Sequence, residues 1–173
     1  DRAAIEALAR TADVVLTDHD VADLDAHGIL AIGEGSTAVR VSITPFGLDG
    51  PYRDMPATNA TLLALGGYTW LMGDPGRAPL TMPGNYVPYQ AGTFAYLAAL
   101  ATLLGGSPAR TIEVSMLECL ASLHQFTDTM WRFEGIVRSR HGNRWENLCP
   151  TTLLPAADGW YGVNILQAFW FPF

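Results

Sequence analysis

The chain has 173 residues, 49% of them hydrophobic and 16% charged, which is typical of a globular domain with a packed core rather than of a disordered segment. The formal net charge is −7, which argues against a nucleic-acid partner because phosphates repel an acidic protein. All ten basic residues are arginines. This excludes lysine Schiff-base chemistry and the P-loop lysine, and it leaves arginine, backbone N–H groups and helix N-termini to bind phosphate.

Cysteine and hydropathy patterns point to a cytoplasmic protein. Cys119 and Cys149 match no metal-binding spacing, and we expect both thiols to be reduced. No signal peptide is visible. The richest apolar stretch, residues 94–104, is shorter than the roughly 18 residues of a membrane span, so we expect a buried helix and no membrane partner. The chain opens inside a helical pattern and closes on an aromatic run at 169–173, and we therefore expect a fragment of a longer protein.

Helix and strand patterns alternate in the first half of the chain. Apolar spacing predicts a helix that ends near Thr11, and the continuous apolar run at 14–16 predicts a buried parallel strand. An acidic segment then leads into a short helix that ends at Gly28, and residues 38–43 form the second predicted strand. This order predicts part of a doubly wound α/β unit.

The second half of the chain continues with longer helices. The predicted elements are a helix over 59–65 capped at Thr58, an extended loop over 73–86, a helix over 89–104, a strand over 111–115, an amphipathic helix from 116 to about 132 and a strand over 160–166. Glycine pairs end the first two of these helices. Polar composition near 138–147 predicts a domain boundary, which divides the chain into domains 1–140 and 141–173.

The most informative segment is the loop after the second predicted strand, residues 42–52, which reads Ser-Ile-Thr-Pro-Phe-Gly-Leu-Asp-Gly-Pro-Tyr. Pro45 and Pro51 fix φ, while Gly47 and Gly50 permit close backbone approach. A strand that ends in a rigid loop with bare backbone is where α/β proteins place ligands. An ordinary strand-to-helix connection has the same composition, so these residues alone leave both interpretations open.

The loop is one of a series of short motifs that follow one another along nearly the whole chain. They are residues 11–15, 42–52, 54–58, 64–67, 73–75 with Pro79 and 83–84, 91–92 before an Ala/Leu-rich helix, 113–118 and 157–160. In this order they resemble the class III CoA-transferase family of CaiB/BaiF type, which includes formyl-CoA and carnitine CoA-transferases and α-methylacyl-CoA racemases. The resemblance implies an α/β fold with part of a Rossmann-like large domain, a long linker helix and the start of a small α+β domain.

The resemblance also implies covalent catalysis by an aspartate. In the family this carboxylate attacks the acyl-CoA thioester, forms a mixed anhydride and passes CoA to an incoming carboxylic acid. The aspartate stands four residues before a glycine that opens the Ala/Leu-rich helix. Here that glycine is Gly92 and the residue four before it is Pro88, which has no nucleophile, so the catalytic residue is unknown. The nearest upstream acid, Asp74, lies in a Gly-Asp-Pro turn, where aspartate is more often structural.

The same resemblance gives candidates for the CoA and substrate cleft: Asp18, His19, Thr58, Asn59, Tyr89 and Gln90. Asp18 and His19 follow the first strand, where family members commonly contact CoA. Asn59 stands where the transferases often carry an acid, and its amide either donates to a substrate oxygen or caps a helix. A racemase is less favoured, because its two bases would fall at Thr58 and Pro88, and neither residue is a base near neutral pH.

The resemblance further implies a coenzyme A thioester as substrate, no permanently bound cofactor and no metal. The implied partners are an acyl-CoA, a carboxylic acid acceptor and a second copy of the chain in an interlocked homodimer. Three interpretations stay open. The protein is a transferase in which another module carries the aspartate, or an active transferase that uses an acid outside this chain, or a non-catalytic acyl-CoA-binding or scaffolding module.

Overall fold

The computed structural model describes residues 2–106, 110–145 and 150–165. The chain forms two compact units. The first comprises residues 1–66 and 83–125, and the second comprises residues 67–82 and 126–173. The domain boundary between residues 140 and 141 stays a prediction.

A three-stranded parallel sheet organises the first unit. Its strands are β1 (Val14–Thr17), β2 (Val39–Thr44) and β3 (Thr111–Ser115), in the order β1-β2-β3. The helices of this unit are α1 (Arg2–Ala9), α2 (Val21–His27), a 3₁₀ turn (Ile29–Ala31), α3 (Asn59–Leu65), α5 (Tyr86–Leu104) and α6 (Met116–Ser122). The parallel strands and intervening helices confirm the predicted α/β class, and all three strands predicted in this region form.

One face of the sheet packs against α5. Val39, Val41 and Ile43 of β2 form the core together with the buried stripe Ala91, Ala95, Ala99 of the helix. The stripe repeats every four residues, so its three alanines share one side of the helix. The opposite side is exposed, as at Leu97, which is 56% exposed. The expectation of a buried helix is therefore correct for one face and wrong for the other.

Helix α5 differs from its prediction in two further ways. It begins at Tyr86, three residues earlier than expected, so Pro88 lies in the first turn. Proline is tolerated there because the first N–H groups of a helix have no intrahelical partner. By length and composition alone, α5 is also apolar enough to cross a membrane, a criterion that core helices of soluble proteins also meet. The apolar stretch at residues 94–104 thus lies within a longer helix that meets this criterion.

The single long helix predicted from residue 116 to about 132 is wrong. The structure has α6 and then a separate helix, α7 (Gln125–Glu134). At the break, the Ser122 hydroxyl donates to the carbonyl of Cys119 at 2.8 Å, and the His124 ring nitrogen Nε2 lies 2.6 Å from the carbonyl oxygen of Gly66. These side-chain bonds offer the backbone an alternative to a continuous helical ladder. The predicted linker helix is therefore two helices.

The second unit contains α4 (Tyr68–Leu71), nearly all of α7 and an antiparallel hairpin of β4 (Thr151–Ala156) and β5 (Gly159–Asn164). Strand β5 confirms the strand predicted over 160–166 as far as Asn164, and residue 166 lies outside the described residues. Strand β4 was not predicted, because Pro155 near its end is unfavourable within a sheet.

Two arginines near the predicted domain boundary contact tryptophan rings within the second unit. The Arg140 guanidinium lies 5.2 Å from the Trp70 ring centre and donates to the Trp70 carbonyl at 3.0 Å. The Arg138 guanidinium lies 4.8 Å from the ring centre of Trp145. Both positive charges are thus engaged by aromatic faces, which attract cations electrostatically.

Candidate functional site

The loop at 42–52 is held in one conformation by side chains that flank it. The Thr44 hydroxyl accepts the N–H of Gly47 at 3.0 Å, and the Glu113 carboxylate accepts the N–H of Leu48 at 2.5 Å. Gly47 has φ of +99°, and a Cβ added there would lie 2.8 Å from Glu113 Oε1. Only glycine satisfies both the positive φ and this close approach. The rigidity expected from the sequence is therefore present, and Glu113 contributes to it.

A second group of contacts fixes the far end of the loop. The Arg53 Nε donates to the carbonyl of Leu48 at 2.6 Å, and its guanidinium pairs with the carboxylate of Asp25 on α2. The hydrogen bond that Arg53 donates to the Asp25 carboxylate raises the pKa of Arg53 above its ordinary value. The rings of Phe46 and Tyr52 lie 5.9 Å apart, centre to centre. Sequence analysis did not identify Arg53, since its partner Asp25 lies 28 positions away in the chain.

Thr58 and Asn59 begin helix α3 and have different roles. The Thr58 hydroxyl accepts the N–H of Thr61 at 3.2 Å, which confirms the predicted N-cap. The Asn59 amide instead bonds to the segment around the start of α5. Its Oδ1 accepts the N–H of Val87 at 3.1 Å, and its Nδ2 donates to the carbonyl of Gly84 at 3.2 Å. Asn59 therefore caps α5 from a neighbouring helix, and both its donor and its acceptor are engaged.

This contact brings two of the predicted site segments together. Pro88, Tyr89 and Gln90 follow Val87 directly, so they lie in the first turn and a half of α5 next to the start of α3. Pro88 is exposed, Tyr89 is 74% exposed, and Gln90 is half-buried. The sequence has no acid between Gly76 and Arg110. The start of α5 therefore carries no carboxylate of its own.

Asp18 and His19 are exposed and follow the last residue of β1. Because β1 and β2 are parallel and paired, their carboxyl ends lie at the same edge of the sheet, where α/β proteins bind ligands. The two residues therefore share that edge with the loop at 42–52. Their place in the cleft stays a prediction.

Asp74 lies in the second unit, in a turn that contacts with two arginines stabilise. Its carboxylate is 3.8 Å from the Arg77 guanidinium, and its backbone carbonyl accepts from Arg140 at 3.3 Å. A Cβ added to Gly142 would lie 2.9 Å from its carboxylate oxygen. No group of three or more histidine, cysteine or acidic residues with metal-binding geometry occurs in the described part of the chain.

The fold and the arrangement of these segments agree with a known family. The family model for CoA-transferase family III matches residues 1–170, and the chain belongs to that family. In structure, the chain is similar to a CAIB/BAIF family protein from Brucella suis, with a TM-score of 0.85 and 22% identity over 95% of this chain and 45% of that one. At this identity, the likeness shows a shared fold.

Curated relatives are similar over most of the chain. A succinyl-CoA–D-citramalate CoA-transferase from Chloroflexus aurantiacus is 28% identical over 94% of this chain and 42% of its own length. The BbsE subunit of a succinyl-CoA:(R)-benzylsuccinate CoA-transferase from Thauera aromatica is 27% identical over 81% of this chain and 35% of its own length. The chain thus spans less than half the length of these relatives.

Proposed function

We propose that the protein moves CoA between an acyl-CoA and a carboxylic acid, and that the segment described here supports this reaction without supplying its nucleophile. Family membership and the names of the relatives support CoA transfer. The observation that carries the second part is the chemistry at the start of α5. The resemblance predicts the family aspartate at Pro88, and the neighbouring amide of Asn59 is hydrogen-bonded to backbone.

The proposal requires that the nucleophile come from elsewhere in the protein. Proline offers no group that attacks a thioester, and neither does the carboxamide of Asn59, whose Oδ1 and Nδ2 each bond to backbone. Asp74, the nearest upstream acid, sits in a turn of the second unit, paired with Arg77. A second module of the protein, or a partner chain, is then the source of the carboxylate.

The names of the relatives favour a succinyl-CoA donor, since both act on it. We infer that the present protein uses such a short acyl-CoA and a free carboxylic acid as acceptor, with no permanently bound cofactor. We also propose that it acts in the cytoplasm as a homodimer. The exposed apolar side of α5, which includes Tyr89, Tyr96 and Leu97, supports extensive contact with further protein surface.

A second candidate function is a non-catalytic acyl-CoA-binding or scaffolding module. The same two residues favour it, because Pro88 and Asn59 leave the start of α5 without reactive groups while the 42–52 loop keeps its rigid geometry. In this case no carboxylate of the protein becomes acylated. A racemase remains less favoured, since neither Thr58 nor Pro88 is a base.

The two candidates are separated by trapping the covalent intermediate. The whole protein is incubated with succinyl-CoA and other acyl-CoAs, treated with hydroxylamine, and digested for mass spectrometry. A hydroxamate on an aspartate or glutamate outside residues 1–173 supports the proposal. A hydroxamate on Asp74 contradicts it, because this segment is then itself catalytic. Binding of acyl-CoA with no trapped carboxylate supports the non-catalytic candidate.

A further inference from the structure

The sheet face opposite α5 is polar. Thr17, Arg40, Ser42 and Thr111 lie on it, because they alternate with the residues that pack on the helix. Parallel strands are usually apolar on both faces, so this pattern needs a physical account. Arg40 is well partnered: it donates to the carbonyl of Leu30 at 3.2 Å and to the Thr111 hydroxyl at 2.9 Å.

The hydroxyls of Thr17 and Ser42 are different. The two residues stand opposite each other in the pairing of β1 with β2. Ser42 is 2% exposed, and both hydroxyl oxygens are buried without a hydrogen-bond partner among the residues that the structure describes. A buried polar group without a partner costs free energy, and native proteins rarely leave two such groups side by side.

Both residues line one small cavity. Its volume is about 20 Å³, and a cavity needs roughly 10–15 Å³ to hold one water molecule. The other lining residues are Val15, Ile29, Leu30, Ile32, Arg40, Val41 and Thr111. None of them is acidic, which disfavours a metal ion, and the volume is too small for an organic ligand.

We propose that this cavity binds a single ordered water molecule that bridges the hydroxyls of Thr17 and Ser42. Each hydroxyl can both donate and accept, so one water molecule provides a hydrogen-bond partner for both hydroxyls at once. Thr17 ends β1, which leads to Asp18 and His19, and Ser42 lies in β2, two residues before that strand ends at Thr44. The water thus links the two strands whose ends carry candidate cleft residues, whichever reaction the protein performs.

High-resolution crystallography of the whole protein tests the site directly. The expected result is one density peak within about 3 Å of both hydroxyl oxygens, absent in the Thr17→Val/Ser42→Ala double variant. A direct hydrogen bond between the two hydroxyls, with no peak in the cavity, would overturn the proposal. A peak with the scattering of chloride would overturn it as well, since the ligand is then an anion.

Stability measurements provide an independent readout. If the water bridges both residues, Thr17→Val and Ser42→Ala each lower the unfolding midpoint, and the double variant loses less than the sum of the two, because the second change removes a hydroxyl already orphaned by the first. Single variants whose unfolding midpoints rise or stay unchanged, and a double variant whose effect equals the sum of the two, would contradict a bridging water. Thr44→Val serves as control. Its hydroxyl accepts from Gly47 on the same face, so this variant loses stability while the density peak stays.

Discussion

The side-chain Oδ1 of Asn59 lies 3.1 Å from the backbone nitrogen of Val87, so the first residue of α3 holds the first turn of α5. Val87 is fully buried, and its N–H has no partner within its own helix. Pro88, where the resemblance to the family predicts the nucleophile, is the next residue. The two positions at which the resemblance predicts departures from the family pattern, 59 and 88, are therefore neighbours in the structure.

The first prediction concerns this contact. Asn59→Ala leaves the buried N–H of Val87 without an acceptor, which we expect to cost about 1–3 kcal/mol in the free energy of unfolding. Asn59→Asp keeps the acceptor and loses only the donor to Gly84. Amide hydrogen exchange of the whole protein should show lost protection at Val87 in Asn59→Ala and retained protection in Asn59→Asp.

Thr58→Ala is the matched control for this pair. It removes the N-cap of α3 at Thr61, at an expected cost of about 0.5–2 kcal/mol, while the Asn59 amide stays in place. Protection at Val87 should then survive. Equal loss of protection at Val87 in Thr58→Ala and Asn59→Ala would show that the amide has no specific role.

The second prediction concerns the glycines of the 42–52 loop. Gly47→Ala and Gly50→Ala both place a Cβ at positive φ, +99° and +86°, which costs about 1–3 kcal/mol. At Gly47 the new Cβ also meets Glu113 Oε1, whereas nothing lies within 4 Å at Gly50. We therefore expect Gly47→Ala to be the more destabilising by chemical denaturation. The reverse order would contradict the role of Glu113, which accepts from Leu48 and lies close to Gly47.

The third prediction concerns Cys119, which is 7% exposed in the core beside α5. Burial, with a smaller contribution from the charge of Glu118, raises the pKa of this thiol. The neutral thiol therefore makes its full contribution to the free energy of unfolding at neutral pH. This contribution declines as pH rises above the ordinary pKa of a thiol. We expect iodoacetamide to spare Cys119 in the folded protein at pH 8 and to modify it after denaturation. Rapid modification of Cys119 in the folded protein, detected by mass spectrometry of its peptide, would contradict this prediction.

Local signals in the sequence were enough to predict several secondary-structure elements. The Thr58 cap and the Gly66–Gly67 stop predicted α3 with its bounds, because both act within a few residues. The break between α6 and α7 was missed, since it depends on a contact between His124 and Gly66, 58 positions apart. The amphipathic pattern continues through the break and hides it.

The candidate site shows the same division between local and distant causes. The resemblance located Asn59 and Pro88, and the helix start near Pro88 was predicted within three residues. The bonds from Asn59 to Gly84 and Val87 span 25 and 28 positions, and neither follows from periodicity or composition. Likewise, the contact of Glu113 with Leu48 depends on the pairing of β2 with β3.

The central claim is the proposal that this segment supports CoA transfer as in its family, with a proline at position 88 where the nucleophile is expected. The most direct measurement introduces Pro88→Asp into the whole protein, with Pro88→Asn as control, and traps acylated carboxylates with succinyl-CoA and hydroxylamine. An aspartate in the first turn of α5 is compatible with the helix dipole, so both variants should fold. We predict a hydroxamate at residue 88 in Pro88→Asp alone. A folded Pro88→Asp protein that binds acyl-CoA without acylation at residue 88 would contradict the claim.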